Sequence, residues 1–476
     1  MKKYILKIIL ATVFIFVVSC EKIVEGINEN PNDIIVADVS PKLFLTGTML
    51  ANVQLNCGHL NRISGMYSGQ LVGFNSLYSN IYGYNLSTSE SNGEWNALYI
   101  GVLTNTRHII NNSSNDLLVG IAKVVEGHAF GTAASLFGDI PYSESGNINI
   151  SNPNFDSQQD VYNQAIASLD AGIVSLSTAN SVSLREDIYF GGNKDKWIAA
   201  AYTLKARFYL HMKDYPNALF AAQSGIGSST GDMKYLPRGA TTVTSGDKNL
   251  FYEILEGARS GDIGNNKDGV ESYLLQLIAS GSALSRNHSK TDETARRAYF
   301  TINSSGGSVN QGIVAQFEPQ NMVTYFENQL IKAECAARAT GASDGLPHLN
   351  TLRVWMNTGK IVNSTFRSLS YNYAAFDISD FQNGGIENTD GSTTDNAFLR
   401  EVIEERYVSG FGMHMAYNDA RRLRKSDGAI AVPFIMVGTT SNLRAERMPY
   451  SATELNSNIN SPNEDPGIFV KTAVNQ

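Results

Sequence analysis

Two stretches of the chain repeat one pattern, and that repetition narrows the possible folds more than any other feature. Lys194–Met212 carries Leu204-Lys205-Ala206-Arg207, and Asn321–Thr340 carries Ile331-Lys332-Ala333-Glu334. Apolar residues recur at helical spacing in both. Each is followed by a short turn and a second helical stretch, Pro216–Gly225 and Leu346–Trp355. Ala201, Ala218, Ala222, Ala333 and Ala337 would let the paired helices approach closely. Recurring helix–turn–helix units with small contact residues predict tetratricopeptide-like packing, here with a degenerate period.

The rest of the chain fits around that scaffold. Leu117–Phe137 predicts a helix with Val124, Val125, Phe130, Ala133, Ala134 and Phe137 on an apolar stripe. Pro41–Leu55 predicts another, with proline at its start. Gly65–Asn96 alternates too poorly for a strand and reads as broken helix and loop. Ser224–Asn249 and Asn363–Asn396 are rich in Gly, Ser, Asn and Thr, and loops of that length are usually functional or disordered. The expectation is one all-α domain over residues 41–476, with tetratricopeptide-like repeats packed against long irregular loops.

The N-terminus sets the compartment. Lys2, Lys3 and Lys7 precede a run of apolar residues from Ile8 to Val18, closed by Ser19 and Cys20. Residues 1–19 therefore read as a signal peptide, too short for a bilayer-spanning helix, which needs roughly 20 apolar residues. Val17-Val18-Ser19-Cys20 resembles the bacterial lipoprotein cleavage box, in which the cysteine becomes the first mature residue and takes acyl chains. The box usually has leucine where Val17 stands. Two or more acyl chains anchor a protein stably, so Cys20 is the expected lipidation site and attachment to a membrane is through that lipid. Residues 20–40, with Asn28-Glu29-Asn30-Pro31-Asn32, read as a lipidated N-terminus and tether.

Charge and motif content exclude several chemistries. A net charge of −8, from 37 basic and 45 acidic residues, argues against nucleic acid as a partner, since phosphate binding needs a basic surface. No nucleophile elbow, zinc-binding His pair or phosphate loop occurs, and no catalytic residue, cofactor or metal ligand is assigned. The Asn/Asp-rich loops could hold calcium, though none has EF-hand spacing. Of three cysteines, Cys57 and Cys335 lack metal spacing; Cys335, in a helical Ala-rich segment, reads as a small core residue, and whether the two pair stays open. Glu401, Glu404 and Glu405 beside Arg400 and Arg406 read as a salt-bridged helix face. In Phe137-Gly138-Asp139-Ile140-Pro141-Tyr142-Ser143-Glu144, Gly138 stops a helix, Asp139 can bond nearby amides, and Tyr142 packs a rigid exit. Asn418-Asp419-Ala420-Arg421-Arg422 reads as a fixed ion-pair network at a helix end.

Taken in order, these segments resemble the SusD/RagB family of nutrient-binding outer-membrane lipoproteins of Bacteroidetes, in its SusD-like branch. Phe137–Tyr142 matches the family's "GDIPYSEA"-type turn, and Trp197–Tyr209 looks like its first repeat helix. Ile331–Arg338 looks like its "KAEAxxR" helix. Glu404-Glu405-Arg406-Tyr407 and Tyr417–Arg422 match its late "ERxxE…DxRR" region, and Met448-Pro449-Tyr450 with Glu454–Asn458 its C-terminal ending. The second acid of "ERxxE" is Ser409 here, which puts local ion pairing in doubt. The resemblance implies a helical fold and no enzymatic activity. It also implies a surface lipoprotein that captures an oligosaccharide or other nutrient for a SusC-like TonB-dependent transporter. Acidic residues after the cysteine direct such lipoproteins to the surface, and Glu21 and Glu25 suit this.

No family motif carries the ligand contacts, so these are inferred from chemistry. A sugar presents apolar C–H faces and hydroxyls, which aromatic rings and amides complement. Tyr67, Gln70, Asn75, Tyr78, Tyr82, Tyr84 and Trp95 supply that mixture, with Tyr78, Tyr82 and Trp95 as the expected stacking platform. Tyr371-Asn372-Tyr373 is a second candidate. Two other readings stay open: a structural tetratricopeptide lipoprotein that binds only protein, and a surface glycoside hydrolase, whose paired carboxylates can lie far apart in sequence.

Overall fold

Asn115 accepts hydrogen bonds from the amides of Leu117 and Leu118, and the longest helix among the described residues starts there. The computed structural model describes residues 39–240, 246–439 and 443–476. The leader, Cys20 and the tether up to residue 38 lie outside the described residues.

Two helices, α1 (Phe44–Cys57) and α2 (His59–Tyr67), lead into the helix-pair scaffold. The first pair is α3 (Asp116–Phe137) with α4 (Gln158–Thr178). The second is α5 (Lys194–His211) with α6 (Tyr215–Gln223), the third α7 (Tyr325–Thr340) with α8 (Ala342–Met356). The fourth joins α9 (Thr394–Ser409) to α10 (Met415–Leu423). Capping explains the starts: Ser157, Asn193, Asp214, Thr324 and Thr393 each accept an amide hydrogen bond from the first turn. The tetratricopeptide-like, all-α expectation therefore holds. Two starts move: the helix expected from Asn321 begins at Tyr325, because Gln320–Val323 is a strand and Thr324 is the cap, and the helix expected from Leu346 begins at Ala342.

Small residues set the distances between helices. A methyl group on Gly120 would lie 2.6 Å from Leu176, and one on Gly127 would lie 2.8 Å from the Ala165 carbonyl, so α3 and α4 pack antiparallel with backbones close. At Gly345 of α8 the same methyl would meet the Ala333 carbonyl and the Ala337 methyl, as the alanine pattern predicts. By composition α3 could cross a membrane, but 89% of its most apolar window is buried inside the protein. It is the central core helix.

Strands are short, antiparallel and two to a sheet among the described residues. The pair that matters for function is β1 (Met233–Tyr235) with β2 (Gln320–Val323). Its register skips Met322, a bulge that turns the Met322 carbonyl toward the Arg207 guanidinium at 2.7 Å.

The conspicuous motifs prove structural. Gly138 ends α3 with φ of 85°, a left-handed conformation that favours glycine. Tyr142 stacks 3.9 Å from Phe130 and donates to Glu126 at 3.0 Å. Asp139 does not bond its own turn. Its Oδ1 accepts from the Gln158 amide at 2.7 Å and helps to cap α4. Asp419 joins Arg422, Arg406 and Glu334 in a buried network, as expected. Glu401 and Glu405 require a correction: their partners are not Arg400 and Arg406 but Arg286 and Arg296, brought in by the chain before α7. A buried carboxylate needs a buried cation, and Arg400 faces outward to Asp390. Ser409, in the place of the family's second acid, accepts from Arg296 at 3.0 Å and donates to Glu405 at 2.5 Å. Cys57 and Cys335 are unpaired and buried, and burial pushes both thiols up to about 12.

Candidate ligand-binding site

Most of the residues expected to hold a ligand are in the core. Tyr67 and Tyr78 are each 1% exposed, Tyr82 6% and Trp95 4%. Every one has its polar atom engaged inward: Tyr67 with the Ile81 carbonyl, Tyr82 with the Val437 carbonyl, and Trp95 with Glu454. Tyr78 accepts from Arg62 at 2.8 Å. The expected stacking platform is thus corrected: Tyr78 and Tyr82 stand four residues apart on one helix face, and that face is turned to the core. Gln70 is buried and donates to the Tyr407 carbonyl. Tyr84 is half-buried, its hydroxyl bonded to the Leu443 carbonyl and its ring against Tyr67 and Phe469. Asn75 is exposed and holds the Gly261 carbonyl. In the second candidate group Tyr373 is buried, while Tyr371 is half-buried with its hydroxyl over Gly359.

A cleft with room for a ligand lies elsewhere, between the β1/β2 pair, the chain from Tyr299 to Pro319, and the C-terminal end of α8 with the loop after it. Its volume is about 330 Å³, which falls in the usual range of ligand pockets, roughly 300–1,000 Å³. Trp355, at the end of α8, is half-buried; its ring meets Tyr325 edge-on at 5.6 Å, and its indole N–H donates to Ser229 at 3.1 Å. Tyr299, Phe300 and Phe411 add apolar surface.

Two carboxylates line the same cleft. Glu318 accepts from the Tyr299 hydroxyl at 2.8 Å on one oxygen and from Asn363 at 2.9 Å on the other. Asp232 accepts from the Tyr325 amide at 2.7 Å, and its second oxygen pairs with Lys234 at 3.1 Å. Burial raises the Asp232 carboxyl, which Lys234 partly offsets. Lys360 and Arg367 complete the lining from the exposed loop. Arg367 gives its Nε to the Gly359 carbonyl at 3.1 Å. One half-buried tryptophan, fixed carboxylates, an amide and free guanidinium hydrogens suit a polyhydroxylated ligand.

The sequence signal at Trp355 is its place as the last residue of a helix predicted before a long loop. Asp232, Lys234 and Glu318 carried no signal, since the strand pairing that gathers them is long-range. Among the described residues there is no group of three or more His, Cys, Asp or Glu that could hold a metal ion.

Residues 31–252 match a SusD-like family model described as "Starch-binding associating with outer membrane". No curated protein matches the chain. Solved structures do. A SusD/RagB family protein from Bacteroides thetaiotaomicron is 20% identical, covers 89% of this chain and 95% of its own, and superposes with a TM-score of 0.62. A chitin-binding SusD homologue from Flavobacterium johnsoniae is 17% identical, with 91% and 98% covered and a TM-score of 0.63. A SusD homologue from Bacteroides ovatus is also 17% identical, with 91% and 99% covered and a TM-score of 0.62.

Proposed function

We propose that this chain, SusD-like in sequence over residues 31–252 and SusD/RagB-like in fold, is a glycan-binding surface lipoprotein whose ligand enters the cleft at Trp355. Lipid on Cys20 tethers it to the outer membrane, toward the medium, and it passes the ligand to a SusC-like TonB-dependent transporter. The family description speaks of starch and one structural neighbour is chitin-binding, which supports a saccharide ligand. The observation that carries the placement is the cleft itself, about 330 Å³ with one half-buried tryptophan opposite Glu318 and Asn363. Calorimetry of the purified chain with neutral and acidic oligosaccharides tests the binding role, and co-purification with a barrel transporter tests the partnership. Absence of any saccharide binding overturns the first. Absence of the barrel leaves a binder without a transport partner.

One observation favours a second reading. Asp232 and Glu318 share the cleft, as the two carboxylates of a glycoside hydrolase must. Their hydrogen bonds weigh against it, because both oxygens of each are already held by donors. Release of reducing ends from a polysaccharide, abolished by Glu318→Gln, is the result that favours the hydrolase.

A further inference from the structure

Residues 345–376 run from within α8 through the loop that walls the cleft, and they contain no Asp or Glu. Their lysines and arginines are Arg353, Lys360 and Arg367. Arg353 is buried and donates to the Ala374 and Lys290 carbonyls, both at 2.7 Å. The other two are exposed and line the cleft. Among the described residues neither has a carboxylate partner: Arg367 bonds only the Gly359 carbonyl, through its Nε at 3.1 Å, and Lys360 bonds nothing.

The turn after α8 sets this pair in place. The Thr358 amide donates to the Trp355 carbonyl at 3.0 Å and the Gly359 amide to the Met356 carbonyl at 2.9 Å. The chain therefore folds back at the end of the helix, and Lys360 stays on the wall to which Trp355 belongs. Gly359 has φ of 71°, a conformation that favours glycine. A methyl group on it would lie 2.8 Å from the Tyr371 hydroxyl and 3.4 Å from Cγ of Arg367, so both side chains lie directly against the glycine. With Nε held by the Gly359 carbonyl, Arg367 has its Nη1 and Nη2 hydrogens left, a planar fork of the kind that takes both oxygens of an anion. Lys360 adds a point charge on the same turn.

The acids of the cleft do not cancel these charges. Asp232 pairs with Lys234 at 3.1 Å. Glu318 is held by two neutral donors, Tyr299 at 2.8 Å and Asn363 at 2.9 Å, and keeps its own charge. The cleft is thus negative at Glu318 and positive at Lys360 and Arg367, a polarity for which a neutral sugar has no use. We propose that the cleft takes a saccharide carrying an anionic substituent, a carboxylate or a sulfate ester, which Arg367 and Lys360 receive while ring hydroxyls donate to Glu318. The proposal rests on the reading of the cleft as a saccharide site.

The test is calorimetry on the full mature chain in detergent with two matched pairs: trigalacturonate against its methyl ester, and sulfated N-acetylgalactosamine against the unsulfated sugar. The anionic member of one pair is expected to bind about tenfold more tightly than its neutral partner. Raised salt should shrink that preference, and the pair that shows it tells carboxylate from sulfate. Lys360→Gln combined with Arg367→Gln removes both charges from exposed positions and should bring the ratio close to one. Arg367→Lys keeps the charge but not the fork, and should retain part of the preference. A structural loss would weaken both members of a pair and leave their ratio alone. Equal binding within both pairs by the unaltered chain overturns the inference and leaves the cleft reading standing. So does a preference that survives the double substitution. Binding of maltotriose or chitotriose with no binding of either anion overturns it as well. If no saccharide binds at all, the reading of the cleft falls with it.

Discussion

Arg422 grips Glu334 with both arms, Nη1 to Oε1 at 2.8 Å and Nη2 to Oε2 at 2.7 Å, and so fastens α10 to α7 inside the core. Arg406 of α9 reaches the same carboxylate at 2.5 Å. Burial alone would raise the Glu334 carboxyl, but Arg422 and Arg406 outweigh it and hold it well below the usual range. The third and fourth helix pairs therefore depend on one ionised group. Glu334→Gln leaves two buried guanidinium groups short of charge, and a loss of about 3–5 kcal/mol is expected in denaturant unfolding.

The buried histidines give the protein an acid limit. Burial lowers His414 from 6.5 to about 4, and burial together with Arg207 holds His128 and His211 well below 6.5. As pH falls below 6.5 the unfolded chain takes up these protons first, so stability drops with falling pH until the folded pKa is passed. His414 alone accounts for up to about 3 kcal/mol of that drop. Burial raises Glu401 instead, and its protonation offsets part of the loss. A urea-unfolding series from pH 7 to 4 should show the decline, and His414→Gln should flatten it.

Two glycines predict opposite signs. A methyl group on Gly131 would fall 2.1 Å from the Phe208 ring, so Gly131→Ala should cost about 1–3 kcal/mol through overpacking. Nothing stands within 4 Å of the same group on Gly47, exposed within α1. Gly47→Ala should therefore stabilise by about 0.5–1 kcal/mol through helix propensity. Melting temperatures of the two variants check both.

Legibility in the sequence followed the range of the interaction. The helix pairs were readable because spacing and small residues are local, as at Ala218, Ala333 and Ala337. The resemblance to the SusD-like family was readable because its motifs are rigid structural joints, the Gly138 exit and the Glu334–Arg422 pair among them. The ionic partners of Glu401 and Glu405 were not, since Arg286 and Arg296 arrive from more than a hundred positions away. The cleft was hidden for the same reason: its acids, Asp232 and Glu318, precede two strands that meet only in the fold. Tyr78 and Tyr82 lie in a segment that reads as broken helix and loop, and the helix Ser76–Tyr82 that forms there turns both to the core.

Cys20 and its tether precede the described residues, and their role is tested by function. Cys20→Ala should keep the fold and the ligand affinity but release the protein from the membrane and abolish nutrient uptake. Fractionation and uptake assays check this, and unchanged uptake counts against a lipid-held lid on a transporter.

The central claim is that a glycan binds at the Trp355 cleft and not at the aromatic cluster around Tyr78. Titration calorimetry of the unaltered chain, Trp355→Ala and Tyr78→Phe with one oligosaccharide that binds decides it. The account predicts that Trp355→Ala weakens binding about tenfold or more, while Tyr78→Phe binds like the unaltered chain. Retained affinity in Trp355→Ala with a loss in Tyr78→Phe would contradict it.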